Sequence, residues 1–184
     1  MQNSYLQSAV KQFQYYKYLG ENTFSQLSDE QLFWCSDLEA NSIAIIVKHM
    51  VGNMLSRWTN FLNEDGEKSW RQRDEEFINS YQTREDIFTS WNKGWDTLFS
   101  TLNELNDSQL EDIIYIRNQG HTVTEAINRQ LCHYAYHVGQ IAFLGRILKK
   151  EEWKSLSVPK NQSKQYNKEK FNQRKGRKHF TEDL

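Results

Sequence analysis

A single proline, Pro159, stands in 184 residues, so everything before it is free of the strongest helix breaker and open to long helices. Cysteine is nearly as scarce. Cys35 and Cys132 have neither paired nor metal-type spacing, which excludes a disulfide scaffold and points to reduced thiols in a cytoplasmic setting. No apolar stretch approaches the roughly 20 residues of a membrane span. The opening MQNSYLQSAVKQFQ also lacks the basic and apolar regions of a signal peptide. Charge of one sign is missing: 23 Lys+Arg against 24 Asp+Glu leave −1, so the protein as a whole is not built for nucleic acid or an anionic membrane. G-x-S-x-G, P-loop and G-x-G-x-x-G motifs are absent as well.

Aromatic bulk and helical period are present instead. Six Trp, nine Tyr and ten Phe supply a core for one domain. A first run, about residues 4–19, stacks Leu6, Val10, Phe13 and the stem of Lys17 on one stripe. A second opens at Asn41 or Ser42 as N-cap and carries Ile43, Ile46, Val47, Met50, Met54, Trp58 and Phe61, before a turn at Asp65-Gly66. The third, about 83–103, repeats Ile87, Trp91, Trp95, Leu98 and Leu102 at spacings of three and four. The fourth opens with the capping-box pattern Thr122-x-x-Glu125 and runs to about Lys149. Between the last two, a turn signal at Asn118-Gln119-Gly120 predicts a short hairpin. Four long amphipathic runs predict an all-α fold, an up-down four-helix bundle over residues 1–158. Residues 159–184 read as a separate basic, partly disordered tail, with eight Lys/Arg against Glu169 between 160 and 178. Tyr166 and Phe171 are the only aromatics within that basic block, so a nucleic-acid arm is the weaker reading.

The fourth run carries the chemistry. His133 and His137 are four residues apart, so they share a helical sector with Gln140, while Ile127, Leu131, Tyr134, Val138 and Ile141 fill the opposite one. Two covered imidazoles need partners, and helical i, i+4 histidines present their nitrogens to one point, as in helical zinc sites. The alternative is a pair bonded to backbone or tyrosine. His49, on the second run beside the Ile46/Met50 stripe, is the best third ligand. His121 lies about three turns from His133 and His179 falls in the tail, where solvent is expected to surround it. Tyr134 follows His133, so the glutamate of an H-E-x-x-H peptidase is missing, and no Glu-x-x-His motif of a di-iron bundle occurs. An open three-histidine site for one divalent metal (zinc, nickel or iron) survives this elimination.

KHMVGN, then LCHYAYHVGQI some eighty residues later, set in the wider NSIAIIVKHMVGNMLSRWTNFLNEDGEKSWRQRDEEF, resembles the DinB/YfiT-like superfamily of metal-binding four-helix bundles, in one uncharacterised branch. The resemblance spans about residues 1–158. It implies His49, His133 and His137 as the three metal ligands, and a low-molecular-weight thiol such as bacillithiol, mycothiol or glutathione as co-substrate of an S-transferase or isomerase. It also implies a homodimer.

Asn53 and Gln140, one turn beyond His49 and His137, could orient ligands or substrate, or else be helix-edge polar groups. Arg57 is about 12 Å along the helix from His49, too far for direct ligation. Arg71, Arg73 and Asp74 read as a structural ion-pair cluster near the far end of that helix. Cys132 points about 100° away from His133 and reads as a packed small side chain. A third sector, Cys132, Tyr136, Gly139 and Phe143, is apolar enough for a dimer face. No catalytic side chain is identifiable. A small-molecule substrate is expected, and neither membrane nor nucleic acid.

Overall fold

The computed structural model describes residues 4–37 and 39–183. Residues 1–3, in the stretch read for a signal peptide, lie outside it. Helix α1 (Ser4–Phe24) turns Leu6, Ala9, Phe13 and Phe24 inward. A short α2 (Asp29–Phe33) follows, opened by a Ser28/Gln31 capping box. Helix α3 (Ile43–Trp58) begins where Ser42 Oγ accepts from the Ile45 N–H at 3.2 Å. Nearly every face of α3 is buried, so it is the central helix of the domain. It ends at Trp58, because Thr59 turns to extended backbone at ψ 126° and Asn60 follows with a left-handed φ of 49°. Phe61, expected on its stripe, is buried from the following turn instead.

Helix α4 (Arg84–Glu104) starts at a Thr83/Asp86 capping box and buries Ile87, Trp91, Trp95, Leu98 and Leu102. It packs along α3 with little space between them: a Cβ on Gly94 would lie 2.9 Å from Met54 Sδ. Helix α5 (Val123–Lys149) opens at the Thr122/Glu125 capping box and packs against α1 and α3. Phe13, Trp58, Trp95 and Tyr134 meet at the centre with ring centroids 5.8–6.4 Å apart. Two of the three polar edges there are paired, and Trp95 Nε1 is not. Trp58 Nε1 donates to Tyr134 Oη at 3.1 Å, and that hydroxyl donates to Asn53 Oδ1 at 3.0 Å.

The chain is therefore mostly helical, with one two-stranded antiparallel ribbon, β1 (Ile113–Ile116) and β2 (Gln119–Thr122). Its turn is centred one residue earlier than expected, on Arg117-Asn118, with φ of 55° and 61°, and Gln119 and Gly120 already pair in β2. Two consecutive left-handed residues define the tight turn whose twist matches the strands. Asp65 holds them there: its carboxylate accepts from the Arg117 and Asn118 backbone N–H groups, each at 2.8 Å.

Beyond Pro159, α6 (Ser163–Phe171) buries nothing, whereas His179 is half-buried against α1. It bonds Ser8 Oγ at 3.2 Å rather than standing free in solvent, and Glu182 pairs with Lys11. Among the described residues no helix is long and apolar enough to cross a membrane.

Candidate metal centre

Helices α3 and α5 bring His49, His133 and His137 together. One nitrogen from each lies within 4.8 Å of the other two, the only such group of metal-ligating side chains among the described residues. Three ring nitrogens held this close can bind a metal ion. A tetrahedral ion with N at about 2.05 Å needs N···N separations of about 3.3 Å, and His133 Nε2 and His137 Nε2 stand 3.0 Å apart.

The outward nitrogens decide what the inward ones offer. His49 Nδ1 faces Glu76 Oε2 at 2.9 Å, and a carboxylate only accepts, so Nδ1 carries the proton and Nε2 keeps its lone pair. His137 Nδ1 meets Gln140 Oε1 at 2.8 Å, the Gln140 amide donating to Tyr136 Oη at 3.0 Å. His133 Nδ1 meets Gln130 Oε1 at 3.3 Å. Every Nδ1 therefore has an oxygen acceptor, and the Nε2 atoms of His133 and His137 turn lone pairs toward each other. Two facing acceptors at hydrogen-bond distance repel unless a cation or proton lies between them. A proton is resisted. Burial, aided by the charges of His137, His49, Arg57 and Arg71, lowers His133 to about 3. Burial also lowers His137, against the Gln140 bond, which raises it.

Glu76 escaped the sequence reading. It sits in a one-turn 3₁₀ helix, Asp74–Phe77, reached by a loop that folds back along α3. Ser56 Oγ donates to Gly66 O at 2.7 Å and accepts from the Lys68 N–H at 3.1 Å, which fixes the loop's start. Lys48 Nζ donates to the carbonyls of Glu75 and Ile78, each at 2.7 Å, which fixes its end. Phe77 stacks on the His49 ring with centroids 4.8 Å apart. Gly52 makes room: a Cβ there would stand 2.2 Å from Glu76 Oε1. Arg71, read as remote from the histidines, instead grips Glu76 at 2.8 and 2.9 Å, with only 2% of its side chain exposed. Burial would raise Glu76, but its bonds to His49 and Arg71 hold it below the usual carboxylate range.

Asn53 is buried and accepts from Tyr134, touching none of the three rings by hydrogen bond. Arg73 and Asp74 are exposed, 3.9 Å apart. Cys132 is exposed, not packed, because its direction on α5 faces away from both α1 and α3. His121 is not part of the cluster.

The sequence model of one family, described as a protein of unknown function (DUF1572), matches residues 1–162. No curated protein and no solved structure matches the chain significantly.

Proposed function

The chain belongs to the DUF1572 family, and from its three histidines we propose that it holds one divalent metal, zinc, nickel or iron, on His49, His133 and His137 and works as a metal-dependent enzyme. The observation that carries this reading is the 3.0 Å approach of two Nε2 atoms whose opposite nitrogens each face a glutamine oxygen. On this reading the four long helices form an up-down four-helix bundle of the DinB/YfiT-like type. The reaction is transfer of a low-molecular-weight thiol, of the bacillithiol kind, to a small electrophile. When bound, the cation would supply the positive charge that keeps a neighbouring thiol ionised at neutral pH. The sulfur–carbon bond forms as the carbon–leaving-group bond breaks, and the thiol proton goes to solvent. Glu76, Gln130 and Gln140 fix the ring tautomers, and Phe77 covers His49 from one side.

A metal that only stabilised the fold would be closed by a fourth protein ligand. Among the described residues no cysteine or carboxylate joins the three histidines in that cluster, and Glu76 reaches the outer nitrogen of His49. This favours catalysis over a purely structural ion. A hydrolase using the same open position is the second enzymatic reading. Metal analysis of protein purified without a His tag tests the ligand set; stoichiometric metal surviving a triple alanine variant refutes it. Thiol consumption with a chloro- or epoxy-electrophile, in bacillithiol and glutathione arms, tests the chemistry. Wild type and His133→Ala consuming thiol at equal rates would refute the transferase.

The proposed oligomer is a homodimer through the outer face of α5. Tyr136 and Phe143 are 63% and 64% exposed there, flanked by Cys132 and Gly139. Light scattering that finds a monomer at micromolar concentration refutes it. Two free, exposed thiols fit a cytoplasmic location.

A further inference from the structure

A cavity of about 240 Å³ lies against His49 and His133, and five arginines line it. Four separate segments deliver them: Arg57 comes from α3, Arg71 and Arg73 from the folded-back loop, Arg117 from the hairpin turn and Arg129 from α5. In a chain whose net charge is −1, this is a local concentration of cations and no reflection of bulk composition. Two carboxylates offset part of it. Glu67 Oε2 takes Arg57 at 3.0 Å, Arg71 at 3.1 Å and Arg117 at 3.4 Å, while Glu76 takes Arg71. Asp74 stands outside, fully exposed and 3.9 Å from Arg73. The hollow therefore keeps a positive excess before any metal charge is added.

Three of its guanidinium groups, those of Arg73, Arg117 and Arg129, are exposed. Arg57 is buried and spends its terminal nitrogen on Gly66 O and Glu67, so it adds charge to the wall of the hollow. Arg129 forms no ion pair among the described residues. Guanidinium groups recognise planar or tetrahedral oxyanions through paired N–H donors. A space of about 240 Å³ corresponds to roughly eight waters at about 30 Å³ each. It admits an oxyanion headgroup with a short stem.

We propose that this arginine-lined hollow binds the oxyanion group, carboxylate or phosphate, of the small molecule that reaches the three histidines, with the exposed Arg73, Arg117 and Arg129 as its donors. The preferred substrate or co-substrate is then anionic, its oxyanion within a few bonds of the atom presented to the metal. That placement rests on the metal-centre reading; the oxyanion site itself does not.

Calorimetric titration at constant ionic strength separates the two. Inorganic phosphate and malonate are titrated into metal-free and metal-loaded protein, in separate arms. Saturable one-to-one binding of at least one probe is expected in both forms, and the preferred probe identifies the oxyanion source. Arg129→Gln weakens it about tenfold, the loss of one charge-assisted contact. Arg117→Gln, with its fold checked by circular dichroism, weakens binding by a similar factor. Arg146→Gln, exposed on the same helix about 25 Å away, leaves binding unchanged. His133→Ala abolishes metal uptake yet retains phosphate or malonate binding in the metal-free arm. Protein that binds the oxyanion but no metal refutes the metal centre and leaves this site standing. Absence of saturable binding of both probes overturns the proposal. So does an Arg129→Gln protein that binds like wild type, or an Arg146→Gln protein that is weakened equally.

Discussion

Glu76→Gln tests whether the folded-back loop orients His49 or merely packs on it. The substitution keeps the shape of the side chain and removes its charge, so a group that can only accept becomes one that also donates. In the native arrangement Glu76 accepts from His49 Nδ1 at 2.9 Å and from two Arg71 nitrogens at 2.8 and 2.9 Å. Its side chain and that of Arg71 are only 7% and 2% exposed. Removing one member of such a pair costs about 3–5 kcal/mol, but Arg71 retains Glu67 at 3.1 Å, which places the loss nearer about 2–3 kcal/mol. For a domain of this size that lowers Tm by roughly 5–10 °C, measured on metal-free protein with urea unfolding alongside. The His49 tautomer is no longer enforced, and metal affinity in a chelator competition drops about 10- to 100-fold. Glu76 is held below its ordinary value, so its stabilisation is present above the unfolded carboxylate pKa and fades as pH falls through the lowered one. The variant therefore loses that part of the acid limb. Unchanged stability together with metal affinity within twofold of wild type would refute the reasoning. A stability loss with intact affinity would reduce Glu76 to a fastener of the loop.

Gly52→Ala relieves a helix-interior glycine that ordinarily costs about 1 kcal/mol, but its Cβ would stand 2.2 Å from Glu76 Oε1. Urea unfolding should find no stabilisation, and chelator competition should find weaker metal binding; a gain of stability with unchanged affinity contradicts this. Tyr134→Phe strands Trp58 Nε1 and Asn53 Oδ1 in the core and is expected to cost about 1–3 kcal/mol by denaturant titration, leaving metal stoichiometry unchanged. Metal-free protein should lose stability as pH falls from about 6.5 towards about 3, because the unfolded chain takes up a proton at His133 that the folded chain resists, and His137 acts in the same direction. Urea midpoints across that window check it; a flat profile, or one unchanged in His133→Ala, counts against it.

What was legible in the sequence is what repeats or caps. Thr122-x-x-Glu125 and Ser42 mark helix starts through bonds spanning three residues, and the Trp91/Trp95 stripe declares its inward face by spacing alone. The histidine pair belongs to the same category, since i and i+4 on a helix must share a side. The same spacing logic extends to their neighbours. Gln130-x-x-His133-x-x-x-His137-x-x-Gln140 is symmetrical, and both glutamines bond the outer nitrogen of the nearer histidine. Only the C-terminal one was singled out, though the N-terminal one stands at the equivalent spacing.

The folded-back loop has no such signature. Its bonds run from Ser56, Lys48 and His49 to positions 10 to 30 residues away, through carbonyls and one carboxylate that no period connects. A charge count conceals it equally, because a net charge of −1 averages the arginines gathered at one hollow against acids spread over the surface. One residue does carry a trace. Gly52 lies three positions after His49, inside a well-formed and almost wholly buried helix, where glycine has no conformational use and a cost of about 1 kcal/mol. All left-handed positions among the described residues belong to Asn60, Arg117, Asn118, Lys150 and Asn161, so no glycine there supplies a left-handed φ. Gly52 does not turn the chain; it makes room for Glu76. Its place one turn from His49 marks the face of α3 over which another segment passes, though not that the segment arrives with a carboxylate.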